Sequence, residues 1–144
     1  MPTKQQMKTM GRLIEMKERS AELAELAYAE ACSRTKEAEA ALDRADRAWN
    51  DALDEFPVVS SVTDLEDHDL RIQGLRRGVE IASILVRETK TNEEAARAAM
   101  TAARIDLRRF ETWRDRVIAA QKAEVRRVER IAEDEVAARK QRAV

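Results

Sequence analysis

The sequence predicts an all-α fold: a long antiparallel two-helix coiled-coil hairpin with an overhanging C-terminal helix. Three observations predict it. Charged residues make up 38% of the 144 positions and aromatics only 3%, with three glycines and two prolines, the mix expected of long helices and coiled coils. So few bulky side chains fill a narrow seam between helices more readily than the inside of a globule. Apolar residues recur at alternating steps of three and four over two long segments, and a single proline, Pro57, separates those segments.

The first helix is expected over about 3–55. Thr3-x-x-Gln6 has the form of a capping box. The stripe then runs Met7, Met10, Ile14, Lys17, Ala21, Ala24, Tyr28, Ala31, Thr35, Ala38, Leu42, Ala45, Trp49, Ala52 and Phe56, in which only Lys17 and Thr35 are polar. A 3.5-residue period sustained this long specifies a left-handed supercoil. Its alanines imply a thin seam with the helices close together.

The turn is expected at about 56–63. Pro57 pushes Phe56 out of helical geometry and cannot itself continue the helix. Ser61, Thr63 and Asp64 all offer N-cap oxygens, and Thr63-x-x-Glu66 is a second capping box.

The second helix is expected over about 64–142. Its stripe runs Ile72, Leu75, Val79, Ala82, Val86, Thr89, Glu93, Ala96, Met100, Ala103, Leu107 and Phe110, continuing through Arg114, Val117, Gln121, Glu124, Val128, Ile131, Glu135 and Ala138. A local irregularity is expected at Thr89–Glu93, where Thr91-x-x-Glu94 could restart a helix. Gly74 and Gly78 stand four apart, a spacing that permits close backbone approach or a gentle bend. At ~1.5 Å per residue the helices measure roughly 80 Å and roughly 115 Å. The last 25 or so residues should therefore pass the N-terminus without a partner in the chain. They carry Val117, Ile118, Val125, Val128, Ile131 and Val136 at helical spacing, the mark of a helix awaiting a partner.

Formal net charge is −1, but charge is unevenly placed. Residues 51–70 hold seven acids and no Lys or Arg, residues 1–20 five bases and two acids, and residues 104–142 twelve bases and eight acids. The two ends are therefore expected to meet different partners.

Catalysis is not expected. His68 is the sole histidine, which leaves neither a triad nor a two-histidine metal site. The acids around it lack the spacing of a calcium loop. No phosphate loop is present, and no cofactor or metal is expected. The arginines between Arg104 and Arg130 alternate in sequence with Asp106, Glu111, Asp115, Glu124 and Glu129, a pattern of ion-paired helix surfaces, so nucleic-acid binding is not expected either. Cys32 reads as a packing residue in a reducing compartment. Tyr28 and Trp49 read as seam residues, whereas Trp113 either closes the end of the hairpin or faces a partner. No segment of 18 apolar residues could insert in a membrane, and Met1–Met10 lacks an apolar signal core, so a cytoplasmic protein is expected.

The charged N-terminal heptads, the break at Phe56-Pro57 and the ending Val125-Arg-Arg-Val-Glu-Arg-Ile-Ala-Glu-Asp-Glu together resemble the FliJ/YscO family, central stalk proteins of flagellar and virulence type III secretion. The resemblance spans nearly the whole chain and lies in architecture and texture. It implies a non-enzymatic, monomeric stalk at the inner-membrane export apparatus, whose terminal end enters a hexameric secretion ATPase while the other end meets the export gate. Some members of that family also bind export chaperones. Lys4, Lys8, Arg12, Arg126, Arg127 and Arg130 would then face the ATPase, and Leu70, Ile72, Leu75 and Val79 the gate. A general coiled-coil scaffold or homodimerising adaptor is the alternative reading.

Overall fold

A computed structural model of the chain describes residues 2–55, 58 and 60–143. Within them the protein is an all-α helical hairpin: α1, Lys4–Asp54, and α2, Val62–Arg142, pack against each other. The expected turn residues Phe56, Pro57 and Val59, with Phe56 the last member of the first stripe, lie outside the described residues.

Both helices start on reciprocal caps. The Thr3 N–H donates to Gln6 Oε1 at 2.8 Å and the Gln6 N–H donates to Thr3 Oγ1 at 3.2 Å, satisfying two otherwise orphaned groups of the first turn. At α2 the cap is Ser61 rather than Thr63. Ser61 Oγ accepts from the Asp64 N–H at 3.3 Å, and the Asp64 carboxylate reaches back to the N–H and hydroxyl of Ser60 at 3.0 and 2.6 Å. The competing Thr63 box loses because a carboxylate receiving two donors anchors the turn two residues earlier. Those Ser60 donors hold the Asp64 carboxyl below its ordinary range. At the far end Arg139, Lys140 and Arg142 complement the α2 dipole.

The hairpin comprises two units. In one, Met1–Glu22 pairs with Ala102–Val144: Gln121 Nε2 donates to the Pro2 carbonyl at 3.5 Å, and Lys17 Nζ lies 2.5 Å from Asp106 Oδ2. Its best-buried side chains are Met10, Ile14 and Ala21. In the other, Leu23–Thr101, the partners run Tyr28 with Arg97, Cys32 with Glu93, Glu39 with Lys90 and Glu55 with Arg71. In each unit one number rises as the other falls, which is antiparallel pairing.

Every described member of the α1 stripe is buried or half-buried, and so is every α2 member from Ile72 to Glu124. Alanine supplies much of what is fully covered: Ala21, Ala31, Ala38 and Ala52 are at most 8% exposed. Met10, Ile14 and Val86 are covered as well, whereas other large seam side chains, Leu42, Trp49 and Phe110 among them, are only half-covered because a two-helix seam leaves its flanks open.

One expectation about α2 fails, and one of the two alternatives for a second falls away. No irregularity interrupts Thr89–Glu93, which is continuous helix. The Thr89 hydroxyl bonds the Leu85 and Val86 carbonyls and the Thr91 hydroxyl bonds that of Arg87, so both threonines are satisfied within the helix. Gly74 and Gly78 do not mark a close approach either. A β-carbon added at either would meet nothing within 4 Å.

Candidate interaction surfaces

The exposed surface of this fold is helix surface, and its chemistry follows from which residues the seam consumes. Among the described residues no group of three or more His, Cys, Asp or Glu side chains converges to hold a metal ion. No described helix is long and apolar enough to cross a membrane.

The first surface is the C-terminal arm of α2. The expected arm began at Val117, yet Val117 and Ile118 are half-covered, and Val117 shares a groove with Pro2, Gln6, Met10, Leu13 and Trp113. The bare stretch starts later. Every described residue from Val125 to Ala143 is exposed, including Val125 and Val128 at 53%, Ile131 at 46% and Val136 at 51%. At ~100° per residue Val125, Val128, Ala132 and Val136 continue the face that packs against α1 further back. The seam thus runs on past its own cover.

The cations expected at this end, Lys4, Lys8, Arg12, Arg126, Arg127 and Arg130, are all exposed. Arg127 is already engaged: its Nε and Nη2 donate to the two oxygens of Glu124 at 3.1 and 2.6 Å. The Arg127 bond holds the Glu124 carboxyl below its ordinary value, and the same bond raises Arg127. Of the four residues expected to face a second partner, Ile72, Leu75 and Val79 lie half-buried on the seam, and only Leu70, 63% exposed, points wholly outward.

A second surface escaped the linear sequence. Acids and arginines alternate along 104–130, but around the helix axis six of the arginines gather toward one side. At ~100° per residue, Arg108, Arg109, Arg116, Arg126, Arg127 and Arg130 share a sector about 120° wide with Ile105 and Thr112. Asp106, Glu111, Asp115, Glu124 and Glu129 fall outside that sector, with Glu111 and Asp115 at its rim beside Arg108 and Arg116. The six arginines are exposed, as are Ile105 and Thr112. Angular sorting was the signal that could have revealed this basic face, and counting along the chain hid it.

Trp113 stands at the edge of that face. Its ring meets Phe110 edge-on at 6.4 Å between centroids, it is 49% exposed, and it lines both the groove with Pro2 and Met10 and the surface between Arg109 and Arg116. Trp113 thus covers the end of the hairpin with one side and leaves the other open to solvent.

Polar seam residues form the third feature. Cys32 is more than packing: its Sγ donates to Glu93 Oε1 at 3.3 Å. Thr35, 5% exposed, has one hydroxyl proton, which serves the Ala31 carbonyl at 3.1 Å or the Glu93 carboxylate. Bonds from Thr35 and then Cys32 hold the Glu93 carboxyl below its ordinary value. Tyr28 is likewise no plain core residue. Its hydroxyl accepts from Arg97 at 2.9 and 3.2 Å, and the guanidinium lies 5.6 Å from the ring centroid. The Trp49 indole N–H is buried without a partner among the described residues.

No protein-family model matches the chain, and neither a curated protein nor a solved structure is similar to it.

Proposed function

We propose that this chain is a non-enzymatic coupling protein that works by helix-on-helix docking, and that it serves a type III export apparatus. The observation that carries the first clause is the set of exposed apolar side chains Val125, Val128 and Val136 on the face that continues the seam, with Ile131 at its flank. Apolar side chains in that register complete a coiled coil when a further helix arrives. The second clause rests on the resemblance to the FliJ/YscO stalks. On this reading the arm and the cations of its end engage a hexameric secretion ATPase, Leu70 and the neighbouring start of α2 meet an export gate protein, and export chaperones are further partners.

The test is a binding and turnover assay with the secretion ATPase encoded in the same genome. The chain should bind the hexamer and raise its ATP hydrolysis, and Val128→Asp with Ile131→Asp should abolish both. An ATPase that neither binds the chain nor responds to it at about micromolar concentration removes the type III assignment. Concentration-dependent dimerisation through the arm would instead establish the homodimerising adaptor.

A further inference from the structure

We infer that the outward face of α2 between Ile105 and Arg116 is a second docking site, and that its occupant is an acidic amphipathic helix of a partner protein. Ile105 at 50% and Trp113 at 49% exposure supply apolar surface, with Arg108, Arg109 and Arg116 around them. Small Thr112 leaves a dip between Ile105 and Arg116 on the same face. No ion pair to a described carboxylate engages Arg108, Arg109 or Arg116. Of the two acids at the rim, Glu111 and Asp115, Asp115 is turned to Arg114 at 3.5 Å.

Charge complementarity selects the occupant. Three neighbouring guanidiniums, none ion-paired to a described carboxylate, attract carboxylates and bind them through paired N–H donors. Ile105 and Trp113 ask in addition for apolar side chains, which a nucleic-acid backbone does not offer. The patch runs from Ile105 to Arg116, roughly 17 Å of helix at ~1.5 Å per residue, the length of about three turns of a partner helix lying in the groove. A nucleic acid fits less well, because the chain as a whole carries no positive excess and residues 51–70 are strongly acidic. This site lies on the opposite side of α2 from the seam, so its occupant and the partner of the arm do not compete for the same side chains.

The experiment uses the full chain carrying Trp49→Phe, so that Trp113 is the one indole, and a stapled three-turn peptide with leucines on one face and glutamates flanking them. Titration should saturate with a blue shift of Trp113 emission. Affinity should fall about tenfold or more in Arg108→Glu/Arg109→Glu, and a peptide with lysines in place of the glutamates should not bind. Circular dichroism of the charge-reversed chain should be unchanged, since both arginines are exposed. The inference is overturned by absence of saturation up to about 200 μM, or by equal binding of the lysine peptide. Binding of a single-stranded oligonucleotide about tenfold tighter than the acidic peptide also overturns it and makes the face a nucleic-acid site.

Discussion

Lys17 Nζ lies 2.5 Å from Asp106 Oδ2 and 5.3 Å above the centre of the Phe110 ring. Lysine is one of two polar residues in the α1 stripe, and this relationship explains how the seam accepts it: the aliphatic stem packs while the ammonium reaches past the seam's edge. Both charges remain about a third exposed, so the pair contributes little to stability. A double-mutant cycle with Lys17→Ala and Asp106→Ala, read by chemical denaturation, should give a coupling below about 1 kcal/mol. Lys17→Met, which keeps the stem, should be nearly neutral.

The Glu93 layer predicts a pH dependence. Its folded pKa lies below the ordinary value of 4.5. The bonds from Thr35 and Cys32 therefore stabilise the fold fully above that value, and their contribution is lost as pH falls through the lower folded pKa. Melting temperature measured from pH 6 to about pH 3 should fall more steeply for the native chain than for Glu93→Gln. Parallel curves would show that the carboxylate contributes nothing to folding.

The helical class, the stripe positions and the capping of α1 were legible because they depend on local spacing and on residues within one turn. The Ser61 cap was not, since choosing among Ser61, Thr63 and Asp64 depends on where the Asp64 carboxylate turns. The Cys32–Glu93 layer joins residues 61 apart, and nothing in either local stretch announces the other. The arginine face was obscured for a different reason: alternation along a chain and segregation around a helix are compatible, and only the second is visible to a partner.

Glycine replacements test whether the open space at α2 is used within the chain. Gly74→Ala and Gly78→Ala remove backbone freedom from the unfolded state, and the new methyl meets no neighbour. Each should raise stability by about 0.5–1 kcal/mol in a denaturant titration. A loss of stability would mean that the helices approach more closely here than described.

Seam substitutions should show opposite sensitivities to size. Ile14→Ala empties a position only 3% exposed and should cost roughly 2–4 kcal/mol. Ala38→Leu, at a site equally covered, overfills a thin seam and should cost about 1–3 kcal/mol. Equal tolerance of both changes would be inconsistent with a closely packed alanine seam.

The central claim is that the packing face of α2 outruns its cover, and amide hydrogen exchange of the isolated chain tests it most directly. A helix lacking tertiary support opens readily, so residues 125–143 should exchange orders of magnitude faster than the seam segments around Ile14, Ala38 and Val86. Protection of 125–143 equal to that of the seam would contradict the account.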